Sequence, residues 1–121
     1  MNQLAWLIAW SIALLGCQRD GGRAPAAVPA AYRQDIDNLC DAVARSGAAA
    51  RPAAEHPLLI AQWLGANLTT DEAHQFLVKI QPLEGEPKAA ALEAEATRIG
   101  LPGCALAGVW RAASEPTPRA P

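Results

Sequence analysis

Residues 32–47, YRQDIDNLCDAVARSG, decide the fold. Tyr32, Ile36, Leu39, Cys40 and Val43 recur at intervals of four, three, one and three residues, the spacing that lines one side of a 3.6-residue turn. Arg33, Asp35, Asp37, Asp41 and Arg45 fill the remaining positions and are expected to face solvent. Gly47 is placed to end this first helix, because a glycine accepts the left-handed backbone that closes a helix.

The same period continues outward. Pro57 suits a first helical turn, and Leu59, Ile60, Trp63 and Leu64 follow it before Gly65 weakens the end. Being short and strongly apolar, this second helix is expected to be the most buried. Thr69 and Glu72 stand three apart, a capping-box spacing, ahead of the stripe Ala73, Phe76, Leu77 and Ile80, and Pro82 ends the third helix. A fourth starts near Pro87, carries Leu92, Ala96 and Ile99 on its inner face and stops at Gly100, with Leu101 as the following hydrophobic contact. Cys104, Leu106, Val109 and Trp110 form a last apolar patch, read as a short helical turn. No run alternates in the manner of a strand. The expectation is an all-α domain over residues 32–110, a small bundle of about four helices joined by short connections.

Either side of this body the composition changes. Residues 17–31 after the cysteine are rich in Ala, Gly and Pro, with only Val28 large enough to enter a core, and read as a linker. Residues 111–121, RAASEPTPRAP, read as a disordered tail. Over the whole chain, 51% of residues are hydrophobic, but many are Ala, so the core is modest. Ten Lys and Arg stand against twelve Asp and Glu, with no dense basic run, so nucleic acid is not an expected partner.

Leu4 to Leu15, LAWLIAWSIALL, is apolar apart from Ser11. Twelve residues match the apolar region of a signal peptide and fall short of the ~20 that span a bilayer. Gly16-Cys17 follows, so that residues 14–17 read Leu14-Leu15-Gly16-Cys17, which resembles the lipobox of bacterial lipoproteins. The resemblance covers about the first seventeen residues and implies cleavage before Cys17, which would carry the acyl chains. It implies a signal peptide over residues 1–16, a lipid anchor, and a place in the cell envelope facing the periplasm. Gln18, where an Asp does not stand, is compatible with the outer membrane. Met1-Asn2-Gln3 departs from the class in carrying no Lys or Arg.

With Cys17 as the anchor, Cys40 and Cys104 remain, and an oxidising envelope would pair them. No Cys-x-x-Cys turn suggests redox catalysis. His56 and His74 are the only histidines; with Asp71 they would make an incomplete zinc site, and His74 with the nearby acids is the alternative, metal-binding or enzymatic reading. Glu93 and Glu95 are two apart and diverge around a helix, so they do not form a catalytic pair. There is no Gly-rich phosphate loop and no nucleophile elbow, and no cofactor is expected. Trp63 belongs with Leu59 and Ile60 in a core stripe, whereas Trp110, with Leu106 and Leu101, is the candidate partner-binding patch. The sequence therefore favours a non-enzymatic binding or structural module, held at a membrane by lipid and facing an envelope protein or component.

Overall fold

A computed structural model describes residues 27–116. Residues 1–16, read above as a signal peptide, Cys17, most of the stretch read as a linker and the end of the expected tail lie outside these residues. Among those described, the chain is helical throughout, with six α-helices and no strand: α1 (Ala30–Cys40), α2 (Ala42–Arg45), α3 (His56–Asn67), α4 (Asp71–Ile80), α5 (Gly85–Arg98) and α6 (Ala105–Ala113), with 3-10 turns at Ala48–Ala50 and Ala53–Glu55. No described helix is long and apolar enough to cross a membrane.

The expected count of about four changes for two reasons. The first helix breaks at Asp41, whose φ of −97° and ψ of 11° leave the helical region between α1 and α2. The last apolar patch is a full helix, α6, that runs to Ala113. Gly47 ends α2 with a φ of +77°, as its spacing predicts. Gly100 ends α5 at φ +80°, where the Leu101 amide donates to the Ala96 carbonyl at 2.9 Å.

α1 is the hub of the fold and touches each of the other five helices. Its buried stripe is Tyr32, Asp35, Ile36, Leu39 and Cys40. The most extensive helix pair is α5 with α6, where Ala89, Leu92 and Ala96 meet Leu106 and Ala107. Alanine on both sides of such a seam lets the backbones approach closely, at the expense of apolar area per residue.

Three groups of α1 hold the ends of other helices. Cys40, its last residue, stands at disulfide-bonding distance from Cys104, the residue that opens α6, with Cα atoms 4.5 Å apart. Arg33 donates to the carbonyls of Ile99 and Gly100 at 2.7 and 3.1 Å, closing the C-terminus of α5. Asp35 reaches the start of α4. Expected at the surface, it is instead 1% exposed, because its position between Tyr32 and Leu39 falls on the inner stripe.

The Asp35 carboxylate accepts from the amides of Thr69 at 3.0 Å and Thr70 at 2.7 Å and from the Thr70 hydroxyl at 2.6 Å. The Thr69 hydroxyl is also directed at this carboxylate, at 3.3 Å. The expected capping box therefore does not form. Thr70 is the cap of α4, taking the Ala73 amide at 3.3 Å, while the hydroxyl and amide of Thr69 are occupied by Asp35. Burial pushes the Asp35 carboxyl up, but the hydrogen bonds from Thr70 and Thr69 outweigh it and hold the group below its usual range.

Two outcomes follow for stability. The 64-residue separation closed by Cys40 and Cys104 predicts that reduction, or Cys104→Ser, lowers the unfolding free energy by about 4 kcal/mol on chain entropy alone; denaturant titration with and without reductant measures it. Equal midpoints would remove the bond from the stability of the fold. Asp35→Asn is expected to cost about 2–3 kcal/mol, since hydrogen bonds to a charged acceptor become bonds to a neutral one and an amide hydrogen faces two backbone donors. Because the Asp35 carboxyl is depressed in the folded state, its contribution is complete above the unfolded value of about 3.9 and is lost as pH falls through the lower folded value. Wild type should accordingly show a steeper stability slope below about pH 4 than Asp35→Asn.

Candidate functional site

Three helices that α1 holds without bringing together bound an open cleft of about 680 Å³. No Cα of α3 comes within 8 Å of α4 or α6. α3 presents Pro57, Ile60, Ala61 and Leu64 to the cleft, a helical stripe along its length. α4 faces it with Leu77 and Val78, and α6 with Leu106, Val109 and Trp110. Leu64, Leu68, Ile80 and Leu106 are buried and close its floor. On the walls Val78 is 67% and Val109 40% exposed, so apolar surface stands open to water.

α3 overturns its sequence reading. It was expected to be the most buried helix, yet Leu64 is its one buried residue and Leu58 is 64% exposed. Apolar residues occupy its whole circumference. One side, with Trp63, leans on the body, and the other lines the cleft. A helix that is apolar all round usually sits inside a protein, and the fold supplies cover for only part of this one.

Polar groups in the cleft are few. They are His56, His74, Gln81 and Lys88, and no carboxylate lines it. The His56 Nε2 is 2.8 Å from the Arg51 carbonyl, and the His74 Nε2 is 3.2 Å from the Leu68 carbonyl, so each ring is tied to nearby backbone. Lys88 is half-buried, and its Nζ lies 4.8 Å from the centre of the Trp110 ring. It has no salt-bridge partner among the described residues.

The expected partner-binding patch is divided. Trp110 and Leu106 share the cleft, but Leu106 is fully buried and forms floor, not exposed patch. Leu101 lies elsewhere, in a shallow concavity beside Arg33 and Pro102. The two histidines face one cleft, which their separation of eighteen residues does not reveal; Asp71 does not line it. Among the described residues no group of three or more His, Cys, Asp or Glu is placed to hold a metal ion. Cys17 lies outside the described residues.

Glu93 and Glu95, weighed above as a catalytic pair, serve with Glu86 as structural partners. Arg111 bonds both Glu86 and Glu93, the latter at 2.6 Å, tying α6 to α5. Glu95 accepts from Arg98 and, at 2.6 Å, from the Tyr32 hydroxyl. Its hydrogen bond from Arg98, helped by that from Tyr32, holds Glu95 below the usual carboxylate range, while burial and then the Glu95 hydrogen bond push the Tyr32 phenol up to about 12.

What the sequence did not reveal is the contribution of Pro57, Leu77, Val78 and Lys88. They lie on α3, α4 and α5, and their convergence depends on α3, which is packed apart from the other two. The available signal was the apolar circumference of α3, which fits an uncovered face as well as a buried one. Compared with known proteins, the chain matches no protein-family model, no curated protein and no solved structure.

Proposed function

We propose that the chain is a lipid-anchored module of the bacterial cell envelope, without catalytic activity of its own, that receives an apolar partner in the cleft between α3, α4 and α6. The observation that carries the binding half of this reading is the uncovered face of α3. Leaving its apolar side chains wet is unfavourable by roughly 25 cal/mol per Å² relative to burying them, and the cleft opposite offers matching aliphatic walls. The absence of catalysis is supported by the commitment of Glu86, Glu93 and Glu95 to arginine and tyrosine partners within the fold.

The anchoring half rests on the Leu14-Leu15-Gly16-Cys17 resemblance, with Cys17 carrying the acyl chains. Two or more chains make membrane attachment durable, at about 0.8 kcal/mol per buried methylene, and leave the helical body tethered at the surface. The Cys40 and Cys104 arrangement agrees with an oxidising compartment. The outer membrane, facing the periplasm, is the location that Gln18 favours within the lipoprotein class.

Intact mass of the protein from a membrane fraction tests the anchor. The expected species begins at Cys17, carries acyl mass, and gains two protons on reduction of Cys40 and Cys104; Cys17→Ser should release it from the membrane. A soluble, unacylated product would refute the anchor. A photo-crosslinking side chain placed at Val78 tests the cleft in living cells. An adduct is expected there and none at the exposed Asp41 on the α1–α2 break. Equal yields at both positions would dismiss the cleft as the binding surface.

A further inference from the structure

We propose, resting on the reading of the cleft as a binding surface, that its occupant is a single fatty acid whose carboxylate sits on Lys88 and whose chain runs along the stripe of α3. Volume argues first. About 680 Å³ lies within the ~300–1,000 Å³ of small-molecule sites.

Charge argues next. Lys88 is the only Lys or Arg in the lining of the cleft, and no carboxylate in that lining neutralises it. An apolar site with a single fixed ammonium admits an anion with an apolar tail. A cationic head would meet Lys88 unpaired, and a purely apolar ligand would leave that charge desolvated without compensation. The Trp110 ring, 4.8 Å from the Lys88 Nζ, helps to hold the ammonium, whose hydrogens directed away from the ring are left for an oxygen acceptor. Gln81, also in the lining, supplies a further amide donor for the head. Leu64, Leu68 and Leu106 give the tail a wholly aliphatic floor.

The layout of the walls agrees. The α3 stripe from Pro57 to Leu64 spans two turns and continues to Leu68 in the following loop. Such a stripe offers an extended chain contact over its whole length, with no polar side chain between Ile60 and Leu64 on the cleft side.

Calorimetric titration of the chain recovered from the envelope with Cys17→Ser, which carries no acyl chain of its own, tests the proposal. The probes are dodecanoate, dodecyltrimethylammonium and dodecyl maltoside, each below its micelle concentration. Dodecanoate is expected to bind at one per chain, at least tenfold more tightly than the ammonium probe. Lys88→Gln should weaken dodecanoate about tenfold and leave the maltoside unchanged, and Lys88→Arg should restore it. Val78→Glu, on an exposed position, should abolish binding with an unaltered melting temperature. Equal affinity for all three head groups would overturn the carboxylate at Lys88. No binding of any chain, with the Val78 crosslink still formed, would overturn the fatty acid and return the cleft to a protein partner. Loss of that crosslink as well would remove the cleft reading on which the proposal rests.

Discussion

The fold depends on one short helix that must satisfy five neighbours at once. α1 has eleven residues, and its buried stripe supplies Ile36 and Leu39 as the large apolar side chains at the centre of the molecule. In a body where Ala42, Ala73, Ala89, Ala96 and Ala107 fill much of the interior, apolar area alone gives little leverage. The chain compensates with directional ties. Cys40 reaches the start of α6, Asp35 the start of α4, and Arg33 the end of α5. Each is placed at a helix terminus, where backbone groups lack intrahelical partners and where charge of the right sign is favourable. Asp35 shows the balance clearly: removing a carboxylate from water is costly, and the four donors of Thr69 and Thr70 make that burial tolerable.

These ties account for the cleft. α4 and α6 are fixed by their first residues to α1, and α5 is stitched to α6 through Arg111 with Glu86 and Glu93. The exposed pairs among these contribute little stability singly, but they set register between helices whose alanine seam is otherwise permissive. α4 and α6 therefore stand as fixed walls. Between them and α3 no backbone comes close enough to close the gap, so Leu64, Leu68, Ile80 and Leu106 become a floor.

Much of this was legible in the sequence and some was not, for definite physical reasons. Periodicity located α1, α3, α4 and α5, because a period near 3.6 survives whatever surrounds it, and Gly47 and Gly100 marked two ends through the positive φ they adopt. The break at Asp41 left no signature, since the apolar spacing from Cys40 to Val43 runs through it unchanged. Asp35 was misjudged although its spacing from Tyr32 and Leu39 puts it on the inner face: a carboxylate is read as solvent-exposed until its donors, thirty-four and thirty-five residues away, are known. For the candidate site, Trp110 and Leu106 were legible as an apolar patch, and Leu101 was grouped with them only because it is near in sequence. The cleft itself could not be read, because it exists between helices whose separation is a tertiary result.

α3 joins these points. It is the wall that no residue of α1 ties by hydrogen bond or covalent link; its own polar contacts, Arg51 with Glu55, His56 with the Arg51 carbonyl and Asn67 with that of Trp63, are all local. What holds it to the body is apolar contact through Ile60, Trp63 and Leu64. Its outer stripe is equally apolar and faces the fixed walls across the cleft. A helix in that position gains from burial on a second side and has few directional bonds resisting small displacement, whereas α4 and α6 would have to break their ties to move. Any adjustment to an occupant of the kind proposed would therefore fall to α3, since the same uncovered face that makes this helix costly in isolation borders the cleft on its least tied side.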